Sequence, residues 1–122
     1  MKNSILKIFF TYLLLTTIFF AKAQSPCNDT LCVIEFNASF NQQNSVDWLE
    51  NLTDCKIDRI NIDANIATQQ QQMDYGIVIV PTIIIFNGGE EVKRYQANIM
   101  MEMETEQMEI QKEINKILLN NF

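Results

Sequence analysis

The sequence predicts an α/β domain, a central mixed four-stranded sheet flanked by helices, in the order β-α-β-α-β-β-α. Three observations predict it. Residues 83–86, Ile-Ile-Ile-Phe, are apolar without alternation, and such a strand needs cover on both faces, as in a layered sheet. Asn87-Gly88-Gly89-Glu90 is a hairpin signal that makes the last strand pair antiparallel. The strand–helix–strand opening requires a parallel pair joined by a right-handed crossover.

The first 23 residues stand apart from this domain. Lys2 and Lys7 precede and border an apolar run over 8–20, and Ala21-Lys22-Ala23 then supplies a small-x-small cleavage site. That is the layout of a secretory signal peptide. The apolar run is short of the ~20 residues that a bilayer core requires. The expected organisation is a signal over 1–23 and one domain over 24–122. The protein would be exported, periplasmic or extracellular, with no membrane attachment after cleavage.

All 15 acidic residues, but only six of the nine basic ones, follow Ala23, so the mature chain carries a formal charge near −9. Such a surface repels nucleic acid and anionic membrane. The chain has no histidine. Ser-His and Cys-His catalysis and the common zinc sites are therefore excluded. No cofactor and no metal site is expected. Met100, Met101, Met103 and Met108 could offer thioethers to Cu(I). With no imidazole nearby they read as fillers of irregular core gaps.

The elements follow in order. Residues 32–37 are apolar and β-branched enough for a strand. Residues 43–52 carry Val46, Leu49 and Leu52 at helical spacing, with Trp48 beside them. Residues 56–62 alternate through Ile57, Ile60 and Ile62 and read as the second strand. Residues 63–74 form a helix with Gln69, Gln70, Gln71 and Gln72 on a solvated face, stopped at Tyr75-Gly76. Pro81 cannot donate to a ladder and belongs at the start of the third strand. Residues 91–96 return as the fourth. Residues 103–119 make the last helix, with Ile110, Ile114, Ile117 and Leu118 as its apolar stripe. Its early glutamates and later lysines suit the helix dipole.

Several segments, in this order, resemble the thioredoxin superfamily over residues 33–120. Val33-Ile34-Glu35-Phe36-Asn37-Ala38-Ser39-Phe40 looks like the strand leading to that family's active-site turn. Arg59-Ile60-Asn61-Ile62-Asp63 looks like its next strand. Tyr75-Gly76-Ile77-Val78-Ile79-Val80-Pro81-Thr82 is similar to the segment holding the family's cis-proline, and Phe86-Asn87-Gly88-Gly89-Glu90 matches the hairpin that follows. The resemblance implies a near-minimal thioredoxin-like fold, without the family's extra N-terminal strand and helix. It implies that Pro81 is the cis-proline and that Val80 presents backbone to an extended peptide. Glu35 falls on the buried acid position and Arg59 on that of its basic partner, as an ion pair. Ala97 falls where relatives usually have glycine beside the substrate groove.

The resemblance breaks at Asn41-Gln42-Gln43-Asn44, where relatives carry Cys-x-x-Cys. There the first cysteine attacks as a thiolate stabilised by a helix N-terminus, and the second resolves the mixed disulfide. An amide can do neither. What Asn41 can do is cap the following helix with its side-chain oxygen. Three cysteines remain, Cys27, Cys32 and Cys55. In an oxidising compartment one bridge and one free thiol are expected. Cys27–Cys32 closes a local loop and Cys32–Cys55 staples neighbouring strands; both are open, with Cys27–Cys55 behind them. The sequons at Asn37 and Asn51 matter only in a glycosylating host.

The sequence thus leads to an exported thioredoxin-like protein, redox-inactive at the usual site and with no catalytic residue there. It would act as a structural module, or bind a protein or extended peptide in a groove lined by Phe40, Asn41, Val80 and Pro81. The alternative is a divergent thiol-disulfide oxidoreductase in redox homeostasis using Cys27, Cys32 or Cys55. Thiol-independent chaperone activity is a third possibility.

Overall fold

The computed structural model describes Cys27 and residues 30–121; the expected signal peptide lies outside these residues. Strand β1, Leu31–Asn37, is central and buried along its whole length. Strand β2, Lys56–Asn61, pairs with it in parallel, with Cys32 opposite Lys56 and Glu35 opposite Arg59. Strand β3, Thr82–Asn87, runs antiparallel on the other side of β1, and β4, Glu90–Gln96, runs antiparallel to β3. The sheet order is β2-β1-β3-β4, mixed and four-stranded, as the sequence predicts. Gly88 (φ +61°) and Gly89 (φ +85°) turn the hairpin between β3 and β4 in a conformation that side chains resist.

Each face of the sheet carries its own core, because successive side chains of a strand point to opposite faces. On one face Val33, Ile83 and Ile85 pack with Val46, Leu49 and Leu52 and with Ile110, Ile114 and Ile117. Those last three isoleucines come from the final helix, α2, Gln107–Asn120, whose apolar spacing lays one stripe on the sheet. On the other face Cys32, Ile34, Phe36, Ile84 and Phe86 pack with Cys27, Ile62, Ile77 and Val80. Helix α1, Ile66–Asp74, starts with a capping box between Asn65 and Thr68, so its first turn is fixed by polar side chains. None of its residues is buried; Gln69 and Gln70 are exposed, while Gln71 and Gln72 are half-buried.

The helix expected over 43–52 does not form. Two 3-10 turns stand in its place, Ser39–Asn44 and Leu49–Asn51, with non-helical chain between them. The reason lies in competing partners for the backbone. The Val46 N–H donates to Glu35 Oε2 at 2.8 Å, and the Val46 carbonyl accepts from Arg59 Nη2 at 2.6 Å. The Asn41 carbonyl accepts from the Asn37 amide at 3.1 Å. Both Val46 groups are ones that an α-helix over 43–52 would have paired internally. Asn44, Ser45, Val46 and Asp47, in succession, have little intrinsic helix preference with which to resist.

Candidate functional site

The site grows from the C-terminal end of β1. Asn37, the last residue of that strand, is buried, and its amide nitrogen donates to the Asn41 carbonyl and to Ser45 Oγ. On the outside, Asp63 accepts from the backbone N–H and the hydroxyl of Ser39, and Asn61 donates to the same hydroxyl. The turn of residues 39–44 is thus held from within by Asn37 and from without by Asp63.

Asn41 is not a helix cap. The residue at the cap position is Ala38, with no side-chain cap bond, and Asn41 lies inside the turn with non-helical dihedrals. Its side chain does something else, from a position only 4% exposed. The amide nitrogen points at Asn37 Oδ1 (3.2 Å), the Val80 carbonyl (3.3 Å) and the Met101 carbonyl (3.2 Å), and Asn44 donates to its oxygen at 2.8 Å. An amide is suited to this, since it offers two donors and an acceptor on one short side chain. Asn41 therefore ties three segments together: its own turn, the loop ending in Pro81 and the loop after β4.

The Val80–Pro81 peptide is cis, and the Pro81 carbonyl accepts from the Ala97 N–H at 3.1 Å. Val80, Pro81 and Ala97 are all buried. The loop after β4 is organised by Asn98. Its side-chain oxygen accepts from the backbone of Met100 and Glu102, its N–H donates to the Glu102 carbonyl and its carbonyl accepts from Met101. Met101 sits at φ +59°, a left-handed conformation unusual for a methionine. Apolar side chains stand outward on all three segments: Phe40 is 69% exposed, Val78 84%, Ile99 91% and Met100 69%.

Beneath the turn is a charge cluster. Arg59 Nη1 lies 2.7 Å from Glu35 Oε1, and its Nε and Nη2 make a two-pronged contact with Glu50 at 2.7 and 2.8 Å. Glu35 is fully buried, with its second oxygen on the Val46 N–H. The Arg59 hydrogen bonds, helped by a backbone N–H, hold the Glu50 carboxyl down at about 2. The Glu50 hydrogen bond in turn raises the guanidinium, so Arg59 stays charged. Glu35, Asn37, Gln42, Ser45 and Arg59 line a small polar cleft of about 320 Å³ beside the turn.

The cysteines sit elsewhere. Cys27 and Cys32 form a disulfide, with Cα atoms 6.3 Å apart. Both are buried, in the core opposite the Leu49 side of the sheet. Cys55 is free and half-buried, packed in the other core; burial, then Asp54, pushes its thiol up. Cys32 and Asn37 are five residues apart on one strand, about 16 Å. No group of three or more Cys, Asp or Glu suited to a metal ion occurs among the described residues.

This geometry has counterparts among known proteins only at the level of structure. No protein-family model matches the chain, and no curated protein matches it. Solved structures do. A single-substitution mutant of the thioredoxin from Halobacterium salinarum is 21% identical, over 72% of this chain and 74% of that one, at a TM-score of 0.54. Fasciola hepatica thioredoxin is 15% identical, over 73% and 82%, at 0.53. The thioredoxin NaTrxh from Nicotiana alata is 20% identical, over 72% and 73%, at 0.51.

The fold is thioredoxin-like.

Within a thioredoxin-like frame, sequence reasoning put Phe40, Asn41, Val80 and Pro81 in one place, and the structure brings their segments together. It gave no role at this turn to Asn37, Glu50, Asn98 or Met101. Asn98 left a local trace, an Asx residue just past a strand end. Glu50 left none, because its approach to Arg59 depends on the chain failing to be helical at 45–48.

Proposed function

We propose that this protein is an exported, thioredoxin-like binding module that performs no dithiol exchange at the turn of residues 41–44. The observation that carries the reading is the Asn41 amide. Where an exchange site needs an ionisable sulfur, this side chain spends its donors on the Val80 and Met101 carbonyls. It holds three loops whose outward side chains are Phe40, Val78, Ile99 and Met100. Exposed apolar side chains grouped in this way favour an interaction site. Val80 itself is buried with its carbonyl engaged, so the contact surface consists of these side chains more than of Val80 backbone.

The test is titration of the isotope-labelled mature protein with an unfolded, carboxymethylated polypeptide. Amide shifts should move at Phe40, Ile99 and Met100, and Phe40→Ser with Met100→Ser should weaken binding about tenfold. Absence of binding, or shifts confined to another face, defeats the proposal. Insulin disulfides should stay intact in its presence.

A second reading rests on the Cys27–Cys32 disulfide: a thiol-disulfide oxidoreductase working at the opposite end of the sheet. The spacing, four residues between the cysteines, and the burial of both sulfurs weigh against rapid exchange. Insulin reduction that disappears with Cys32→Ser would favour it over the binding module.

A further inference from the structure

Resting on the binding-module reading, we propose that the site takes an extended apolar segment flanked by Lys or Arg. The apolar part follows from the exposed Phe40, Ile99 and Met100 around the Asn41 hub. The charge preference follows from what surrounds them. Glu102 directly follows Met101, and Glu104 accepts from the side-chain amide of Asn98, the residue before Ile99, at 3.0 Å. Across the patch, Asp63 is fixed on Ser39, next to Phe40. Glu102, Glu104 and Asp63 are all exposed.

No described Lys or Arg lies on the three converging segments to neutralise them. Arg59 is engaged by Glu35 and Glu50. Arg94 reaches the Tyr75 and Gly76 carbonyls but is paired with Glu91. The whole chain is acidic as well, at a formal −6, so its field draws cationic partners and repels anionic ones.

The loop is also built in advance. Four hydrogen bonds from and to Asn98 fix the backbone that displays Ile99 and Met100. A partner therefore does not have to order it. The flexible methionine side chain can then adapt to varied apolar residues.

Three labelled peptides test the preference. Each has a Val-Leu-Phe-Val core, flanked at both ends by Lys-Lys, Gln-Gln or Glu-Glu, and binding to the mature protein is read by fluorescence anisotropy. In low salt the lysine peptide should bind about fivefold tighter than the glutamine peptide, as two weak exposed ion pairs would give. The glutamate peptide should bind worst, and the differences should collapse in roughly 0.5 M salt. Glu102→Gln with Glu104→Gln should erase most of the lysine peptide's advantage over the glutamine peptide. Equal binding of all three peptides, lost in the Phe40→Ser, Met100→Ser variant, overturns the charge preference and leaves the binding module standing. No binding by any peptide, or binding indifferent to that variant, overturns both.

Discussion

Cys55 immediately precedes Lys56, the register partner of Cys32, yet the two thiol positions lie on opposite faces of the sheet. Strand alternation causes this. Lys56 shares a face with Cys32, so the residue before it points the other way. Proximity along neighbouring strands therefore does not make Cys32–Cys55 a possible bridge, and the local Cys27–Cys32 bridge is the one present. Peptide mapping under non-reducing conditions should return that bridge alone. Cys55 should alkylate slowly at pH 8 and quickly once the protein is unfolded. Cys27→Ser should cost about 2 kcal/mol by chain entropy, read from urea unfolding.

The Glu50–Arg59 contact should appear in the acid limb of stability. The Glu50 carboxyl titrates at about 2 in the folded chain against an ordinary 4.5. A depressed acid contributes stability that is present above its unfolded value and lost as pH falls toward the folded one. Because the Glu50 side chain is 62% exposed, solvent screening holds the contribution below about 1 kcal/mol. Glu50→Gln should lower the urea midpoint at pH 6, and the gap should narrow by pH 2.5.

Tyr95 behaves in the reverse sense. Burial, then Glu113 and Glu109, pushes its phenol up to about 12, and its hydroxyl is buried without a hydrogen-bond partner. Above about pH 10 the unfolded chain ionises this group while the folded chain resists, so stability falls as pH rises toward 12. Tyr95→Phe should remove that loss. Near neutral pH it should be neutral or stabilising by up to about 1 kcal/mol, since no bond is broken. Thermal melts at pH 7 and pH 10.5 would show both effects.

Restoring sulfur at the turn should not restore the chemistry. Position 41 is buried, is followed by 3-10 turns rather than an α-helix, and faces the Val80 and Met101 carbonyls. A thiolate there lacks a helix N-terminus to stabilise it and meets two acceptor oxygens. In Asn41→Cys with Asn44→Cys, the thiol at 41 should titrate at or above the ordinary ~8.5, read by absorbance at 240 nm. A value below 7 would contradict that picture of the turn. Asn41→Ala should cost about 1–3 kcal/mol through the acceptors left unpaired.

Most of the sheet could be read from the chain. The unbroken run at 83–86, the Asn-Gly-Gly turn and the apolar stripe that includes Ile117 each demand one kind of neighbour, and each found it. The helix expected at 43–52 is where reading failed. Val46, Leu49 and Leu52 do reach the core together, so the burial pattern was sound. The backbone between them went to other partners, which a spacing rule cannot register.

The sequence by itself determined the strands, the hairpin, the absence of sulfur at residues 41 and 44, and an acidic surface. Those are properties of residue type and local period, and each residue carries them wherever it goes. Only the tertiary structure decided that Asn41 would tie three loops instead of capping a helix, that Arg59 and Glu35 would claim the backbone of Val46, and that Cys32 would bond Cys27. In each case a polar group had several partners of similar worth within the chain. Which one it kept depended on the distances left after the two cores had packed.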